Sequence, residues 1–275
     1  MIARPKWRDT HLSSVLQTKL KRILSIAKNT FREAIRDRVL YNLVIFVLLI
    51  TACAILLGEL TDGQEARTIV NIGLNAVLLF GTFIAIFVGV GLVSKEIEKK
   101  TVYAIFSKPV RRTEFIVGKF LGLCSTLFVN TAIMSFGIML ALLYVGGEEL
   151  IGPLWAATLL IFLELTITTA IAILFSSFSS PALSALLTFL VFLIGHLSAS
   201  LRDLSKTMES PAAGWFLEAI YFLLPNLSLF SFRTEAAIGM MPNLAMLLGA
   251  IGYAAAYIVV VLAIAAAIFA RRNFK

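Results

Sequence analysis

Residues Thr68–Val93 read TIVNIGLNAVLLFGTFIAIFVGVGLV and carry no charged side chain. An α-helix rises about 1.5 Å per residue, so about 20 apolar residues cross the roughly 30 Å hydrocarbon core of a bilayer. This stretch is long enough to cross, and it lacks the apolar/polar alternation of a strand in a membrane barrel. It therefore predicts a transmembrane helix.

The rest of the chain has the same character. Hydrophobic residues make up 59% of its 275 residues and charged residues 15%, and the mean hydropathy is +0.93. A soluble domain is about 45–50% apolar and about 25% charged, so this composition argues against a water-soluble enzyme. We predict an all-α membrane protein with six transmembrane helices, at residues 39–57, 68–93, 115–145, 153–175, 182–199 and 243–270.

The positive charges predict how these spans are oriented. Most of the 24 Lys and Arg residues lie in residues 1–38, in the loop between spans two and three, or after residue 270. Because cytoplasmic segments carry an excess of Lys and Arg, both termini are predicted to be cytoplasmic. The chain then divides into a cytoplasmic amino-terminal segment (1–38), a six-span domain (39–270) and a cytoplasmic tail (271–275). The net charge of +8 indicates topology and not nucleic-acid binding, which favours basic residues interleaved with aromatics on a soluble fold.

Two segments outside the spans predict further helices. In Lys19–Arg38, apolar residues recur at three- and four-residue spacings while Lys and Arg occupy much of the remaining wheel. Such an amphipathic basic helix suits the cytoplasmic membrane interface, although it also fits a helix packed on the soluble surface of a partner. In the outer segment Ser200–Pro242, the apolar stretch Trp215–Leu223 is too short to span. It fits a helix in the outer interface or a re-entrant helix.

The loop after span two has the most informative charged sequence. Residues Ser94–Gly122 read SKEIEKKTVYAIFSKPVRRTEFIVGKFLG. An apolar stripe at helical spacing is flanked by charges of both signs, and Pro109 ends it. This pattern predicts a short cytoplasmic helix that fits a groove on a soluble partner. An ordinary solvated loop fits the pattern equally well.

Polar residues within the predicted spans are candidates for a translocation path. Glu164 is the one acidic residue well inside a span, and a lone carboxylate there usually faces the bundle or a cavity. It is either a functional group on the path or a protonated carboxyl group hydrogen-bonded to another helix. Asn130 is a second candidate, with a cross-helix hydrogen bond as the alternative, as for Asn71 and Asn75. His196 fits either a pH sensor or a buried, satisfied imidazole.

The sequence shows no catalytic or metal-binding pattern. It contains no G-x-x-x-x-G-K-[ST] phosphate loop, so the chain is not expected to bind ATP in the usual way. Its two cysteines and two histidines are too scattered for a metal site. We therefore expect neither a catalytic residue nor a metal site in this chain.

Three groups of motifs are shared with a known family. They are Glu96-x-Glu98-Lys99-x-Thr101 with Ser107-Lys108-Pro109-Val110-x-Arg112-Thr113-Glu114-Phe115 and Gly118-Lys119, then Phe178-Ser179-Ser180-Pro181-Ala182, and finally Leu224-Pro225-Asn226-Leu227. With the six-span plan, they make the chain resemble the exporter-type ABC transporter permeases of the class-two (type V) group, in particular those for the maturation of multi-copper enzymes. Lys100 is a departure, since the family often has glycine before the threonine.

The resemblance implies a function and a set of partners. The chain would be the permease subunit of an exporter in a bacterial cytoplasmic (inner) membrane, where it forms the translocation path. Its partners would be membrane lipid, a second permease copy in a homodimer or related heterodimer, and a separate ABC ATPase. That ATPase would bind ATP and Mg, so this chain would hold no cofactor and would not itself be an enzyme.

The resemblance also implies roles for the predicted helices outside the spans. The amino-terminal amphipathic helix would be the elbow helix of the family, and the outer segment between spans five and six would form its short external helices. The helix between spans two and three would be the coupling helix, which docks on the ATPase. The coupling residues would be Glu96, Ile97, Glu98, Thr101, Val102, Tyr103 and Ile105.

A different class of function also fits the composition. The chain could act alone as an ion-gradient carrier, or it could be a membrane scaffold that transports nothing. A carrier should show inverted repeats with broken helices near the midplane of the membrane. The sequence shows no clear repeat of this kind.

Overall fold

The computed structural model describes residues 7–36, 63–98, 112–207 and 211–271, and the isolated positions 45, 48, 52 and 56. Within these residues the chain is helical and has no β-strand, which confirms the predicted all-α class. The first helices are α1 (Trp7–Arg36), α2 (Glu65–Phe83), α3 (Gly89–Glu98), α4 (Arg112–Val145) and α5 (Ile151–Ser176). They are followed by α6 (Pro181–His196), α7 (Ser198–Thr207), α8 (Pro211–Leu223), α9 (Arg233–Ala237) and α10 (Leu244–Arg271).

Four helical stretches of the described chain are long and apolar enough to cross a membrane. They are Glu65–Leu92, Arg112–Val145, Glu148–Ser176 and Leu244–Arg271. These stretches match the predicted spans two, three, four and six, so the prediction of a multi-span membrane protein is confirmed. The predicted first span, residues 39–57, lies outside the described residues apart from the isolated positions. The domain boundaries and the cytoplasmic side of the termini stay predictions.

The fifth span differs from the continuous helix predicted at residues 182–199. Helix α6 has only 16 residues, fewer than the roughly 20 needed to cross a bilayer. After Leu197 the chain bends by 61° into α7, and the two helices are long enough to span only as a pair. A Cβ atom on Gly195 would lie 2.8 Å from the carbonyl oxygen of Pro225, so this glycine lets the outer segment pack against the end of α6.

The second span is interrupted by a π-helical turn. This turn, Ile84–Val88, joins α2 to α3. Gly81 and Gly89 flank it, and both face α5: a Cβ atom on Gly81 would overlap Leu165, and one on Gly89 would lie 3.1 Å from the Cβ of Ala172. Glycine therefore brings the second span into close contact with α5, as small residues commonly do between membrane helices.

Helix α5 is the central helix of the described bundle, and α10 is peripheral. In the apolar window of the span Glu148–Ser176, 72% of the residues are buried inside the protein, against 22% for Leu244–Arg271. The helices that pack on α5 are α2, α3, α4, α6, α9 and α10. A group on α5 is therefore held from several sides, whereas α10 presents much of its surface to lipid or to another chain.

Helix α1 packs along the first part of α4. A Cβ atom on Gly118 would lie 2.7 Å from the Cβ of Ile26, and one on Gly122 would lie 2.6 Å from the Cβ of Thr30. This small-x-x-x-small spacing lets two helices approach closely. The helix begins at Trp7, well before the Lys19 expected from sequence, and its buried face is covered by this chain's own span. Its location in the membrane interface stays a prediction.

Ion pairs also join α1 to α4. The Arg22 guanidinium lies 3.9 Å from a carboxylate oxygen of Glu114. The Lys119 ammonium, which is almost fully buried, lies 3.7 Å from a carboxylate oxygen of Glu33. These contacts lie where α4 begins, and we call that end of the bundle the basic end (Arg22, Arg112 and Lys119).

The last span ends at the basic end as well. Arg112 donates hydrogen bonds from Nη1 to the carbonyl oxygens of Phe269, at 3.0 Å, and Ala270, at 2.7 Å. A cation there satisfies carbonyl groups that the end of a helix leaves unpaired and opposes the negative end of its dipole. The basic end therefore gathers α1, α4 and α10, and residues 99–111 lead directly into it.

Part of the outer segment folds back into the bundle, which the prediction of short external helices did not include. After α8, the turn Leu227–Phe230 and helix α9 bury Leu227, Phe230 and Ala236 against the spans. The Asn226 side-chain oxygen accepts a hydrogen bond from Ser198 Oγ at 2.5 Å, and the Asn226 N–H donates to Tyr253 Oη at 2.8 Å. Asn226 thus ties the outer segment to the break in span five and to α10.

Candidate functional site

A cavity of about 630 Å³ lies between the second and fifth spans. Its volume is within the roughly 300–1,000 Å³ typical of small-molecule sites. Asn75 and Thr82 are the polar side chains of its lining. The apolar lining consists of Leu78, Leu79, Phe83, Ile86 and Phe87 from the second span and Ala185, Leu186, Phe189 and Phe192 from α6.

The π-helical turn forms an aromatic wall of this cavity. Phe83 and Phe87 stack across the turn with their ring centroids 5.9 Å apart and their planes at 8°. Both rings are largely exposed in the single chain, at 46% and 60% of their maximal surface. Because π-helical turns occur often at functional sites, the aromatic wall and the cavity are a candidate for contact with a solute or with another apolar chain.

Glu164 lies inside the bundle beside a histidine of the neighbouring span. The residue is completely buried, and its Oε1 lies 3.2 Å from Nε2 of His196 on α6. Neither carboxylate oxygen has a well-aligned hydrogen bond within the described residues. Sequence reasoning singled out both residues but did not pair them, because nothing local in the sequence indicates that they meet.

His196 connects this pair to the cavity. Its Nδ1 lies 3.4 Å from the carbonyl oxygen of Phe192, and the two rings lie with centroids 4.6 Å apart. Phe192 also lines the cavity. One side of the imidazole therefore adjoins an apolar chamber, and the other faces the buried carboxylate.

Arg233 brings a positive charge from the outer segment to the same place. Its guanidinium is within electrostatic range of both Glu164 and His196. Nη2 donates to Ser231 Oγ at 3.4 Å, whereas the buried Nη1 has no hydrogen-bond partner in the described part of the chain. In the sequence, Arg233 is one of the few basic residues outside the predicted cytoplasmic segments. Because few basic residues lie on the predicted outer side, the presence of an arginine there could have marked Arg233 as a candidate partner of a buried acidic group.

Asn130 does not join the Glu164 cluster. It is fully buried in α4, and neither its side-chain oxygen nor its side-chain nitrogen has a hydrogen-bond partner among the described residues. Asn75 bonds to Asn71 within α2, at 2.8 Å from its Nδ2 to the carbonyl oxygen, and within the described part of the chain it has no bond to another helix. A role of Asn130 in a translocation path stays a prediction.

The predicted coupling residues lie at the edge of the described chain or beyond it. Helix α3 extends through Glu96, Ile97 and Glu98, but their side chains are outside the described part. Thr101, Val102, Tyr103 and Ile105 lie outside the described residues altogether. Their contact with an ATPase therefore stays a prediction, although the segment that carries them enters the basic end at Arg112.

A comparison with protein families gives the identity of this architecture. A family model described as ABC-2 family transporter protein matches residues 24–274. The chain belongs to this family. The match runs from the middle of α1 to beyond α10, and it confirms the relationship that the motifs around Glu96–Lys119 indicated. No curated protein matches the chain, and the likeness to permeases for multi-copper enzymes stays a prediction.

Membership of the ABC-2 family defines the general role of the chain. It is a membrane permease component of an ABC transporter and not the ATPase. It crosses the membrane several times, as its long apolar helices require. An ABC ATPase is thereby implied as a partner in general. Among the described residues, no group of three or more His, Cys, Asp and Glu side chains could hold a metal ion.

Proposed function

We propose that this chain is the permease subunit of an ATP-driven exporter, and that it forms part of the translocation path and couples to a separate ATPase subunit. The observation that carries the proposal is the family match over residues 24–274. Following the positive-inside rule, we place the basic end in the cytoplasm and the protein in the bacterial cytoplasmic membrane. ATP and Mg would be bound by the partner subunit.

The cavity between the second and fifth spans supports a role in the path. Its aromatic wall is open in the single chain, and Phe83, Phe87 and Phe189 are exposed there. A second copy that places the same face opposite would enclose a shared chamber between the two chains. We propose such a dimer, formed by two copies of this chain or by this chain and a related permease.

The described helices support a mechanical link between the proposed coupling segment and this chamber. The proposed coupling residues begin at Glu96 on α3, and the π-helical turn Ile84–Val88 joins α3 directly to α2. At about 1.5 Å per residue, Phe87 lies about 16 Å along this helix from Glu98. Movement of the coupling segment when ATP closes the ATPase subunits would therefore move the aromatic wall of the cavity.

Charge reversal in the coupling segment tests the proposal. The chain would be purified from its native membranes as the wild type and as Glu96→Lys/Glu98→Lys, and mass spectrometry would identify any ABC ATPase that accompanies it. The matched control is Glu148→Lys/Glu149→Lys, which reverses two neighbouring glutamates in the short helix Glu148–Leu150 before α5. We expect the ATPase to co-purify with the wild type and the control but not with the coupling variant.

The alternative, a carrier that works alone, rests on one observation. The fifth span is broken and bent by 61° close to the buried Glu164, and broken helices beside charged groups are typical of ion-gradient carriers. The same purification separates the two functions. If no ATPase accompanies the wild-type chain and the chain alone moves a solute along an ion gradient, the proposal that ATP hydrolysis drives this transport is wrong.

A further inference from the structure

We propose that Glu164 and His196 form a proton-binding site inside the bundle, and that Arg233 of the outer segment competes with the proton for the Glu164 carboxylate. The site requires only the chain itself. Its test can therefore succeed or fail independently of the ATPase co-purification that tests the proposed function.

The first step is the burial of Glu164. Its side chain is completely buried in the central helix of the bundle. An uncompensated carboxylate is costly in such surroundings, so a proton or a nearby cation must neutralise it. The structure supplies two candidates for this task, the imidazole of His196 at 3.2 Å and the guanidinium of Arg233.

The contacts of the His196 imidazole determine which of its two ring nitrogens carries a hydrogen. Nδ1 of His196 faces the carbonyl oxygen of Phe192 at 3.4 Å, an acceptor that requires the hydrogen on Nδ1. We assign the tautomer on this contact. Nε2 of the neutral ring is then free to accept a hydrogen from a protonated Glu164, or a protonated ring can donate to the carboxylate. In both arrangements the pair holds one shared proton and has no net charge.

The third step adds Arg233, whose guanidinium remains charged. With the shared proton in place, the three side chains together carry a charge of plus one. When the proton leaves, the Glu164 carboxylate and the Arg233 guanidinium balance each other, and His196 remains neutral. The guanidinium therefore favours release of the proton, and its withdrawal favours uptake. The proton would exchange with water along the partly exposed face of His196.

No other described group competes for this role. His196 of α6 and Arg233 of α9 are the groups close enough to interact electrostatically with Glu164. The helices packed on α5 carry further titratable groups. They are Glu65 and Arg67 of α2, Arg112, Glu114, Lys119, Cys124 and Tyr144 of α4, Glu235 of α9, and Tyr253, Tyr257 and Arg271 of α10, together with the charged residues of α3, whose side chains lie outside the described part. Among the described ones, none forms a hydrogen bond or a salt bridge with the Glu164 carboxylate.

The position of Arg233 gives the competition a structural basis. It begins α9, directly after the turn that is anchored through Asn226 and Leu227. Its Nη2 donates to Ser231 Oγ within the same segment, and its buried Nη1 has no hydrogen-bond partner in the described chain. Arg233 therefore interacts with Glu164 electrostatically and not through a hydrogen bond from these atoms. A movement of the outer segment during transport would therefore exchange a guanidinium for a proton at Glu164.

The experiment is infrared difference spectroscopy of the full-length chain in lipid nanodiscs, recorded over a range of pH. We expect a band of a protonated carboxyl group that Glu164→Gln removes and Glu235→Gln leaves in place. In Arg233→Gln this band should persist to a pH about one unit higher than in the wild type, as expected from the loss of a nearby positive charge. Arg202→Gln is the matched control, because Arg202 is an outer arginine that lies over the Tyr221 ring, and it should leave the band unchanged.

A second measurement leaves the site intact and so does not depend on the folding of these variants. The chain has two histidines, His11 and His196, so nitrogen NMR of a His11→Gln protein reports on His196 alone. We expect its ring to carry a hydrogen on Nδ1 and to change in the same pH step as the carboxyl band. A His196 ring that titrates like a free imidazole, or a carboxyl band unaffected by both Glu164→Gln and Arg233→Gln, would overturn the proposal.

Discussion

The guanidinium of Arg112 lies 2.7 Å from the carbonyl oxygen of Ala270, so the beginning of the third span is bonded to the end of the last. The same Nη1 also reaches the carbonyl oxygen of Phe269, and the rings of Phe115 and Phe269 stack beside it. The segment that leads to Arg112 is the predicted coupling loop. A displacement of that loop would therefore move the beginning of α4 and the end of α10 together.

Replacing Arg112 tests this connection. Arg112→Gln should lower the stability of the detergent-solubilised protein by about 1.5–3 kcal/mol, the range for a hydrogen bond from a charged group. The exposed Arg67, near the start of α2, gives the control Arg67→Gln, which should have little effect. The measurement is thermal unfolding of both variants beside the wild type. Equal stability of the two variants would mean that the Arg112 contacts contribute nothing.

Substitution of glycine tests the packing of α1 on α4. Gly122→Ala should destabilise the protein by about 1–3 kcal/mol, the usual range for overpacking, because its Cβ would lie 2.6 Å from the Cβ of Thr30. Gly249→Ala is the matched control, since nothing lies within 4 Å of a Cβ there. Proteolysis of α1 in membranes should become faster in the first variant and remain unchanged in the second. Faster proteolysis of α1 in Gly249→Ala than in Gly122→Ala would contradict this packing.

Filling the cavity tests whether it belongs to the path. Ala185→Trp places a large ring in the lining of the cavity, and transport in reconstituted vesicles should fall to background while the ATPase still co-purifies. Leu140→Trp, at an exposed position on α4 outside the cavity lining, should transport normally. Transport that survives in Ala185→Trp would show that the cavity is a surface feature filled by lipid.

Removal of Glu164 should do more than abolish transport. The structure places the Glu164 carboxylate 3.2 Å from the imidazole of His196 and within electrostatic range of Arg233. Losing one partner of a buried charge pair costs about 3–5 kcal/mol, so we expect Glu164→Ala to be markedly less stable than the wild type. Thermal unfolding of Glu164→Ala, Arg233→Gln and the double variant measures the coupling. Strictly additive effects would show that the two side chains do not interact.

The spans were the most predictable part of the fold. A helix in lipid must satisfy its own backbone hydrogen bonds, so a long run such as Thr68–Val93 has essentially one stable structure. The break in the fifth span was not predictable, because it depends on the approach of the Pro225 carbonyl to Gly195, two residues from distant parts of the chain. Likewise, the sequence pattern of α1 indicates a helix, but only the assembled bundle shows that α1 packs against Gly118 and Gly122 of α4.

The candidate site was predictable only in part. Glu164 and His196 are conspicuous in the sequence because ionisable residues are rare inside spans. Their pairing, and the arrival of Arg233, depend on how the outer segment folds back on α5. No periodic pattern in the sequence predicts how the outer segment folds back on α5. The motif Leu224-Pro225-Asn226-Leu227 was noticed as a family likeness, and the structure shows its physical role, since Asn226 anchors the returning segment to Ser198 and Tyr253.

Native mass spectrometry of the assembly released from native membranes tests whether this chain works as the permease of an ATP-driven complex. The chain would be purified through an affinity tag, and the mass of the assembly would identify the subunits that accompany it. We predict a complex of two permease subunits and two ABC ATPase subunits, from which Glu96→Lys/Glu98→Lys loses the ATPases. A wild-type assembly that contains this chain but no ATPase would contradict the account.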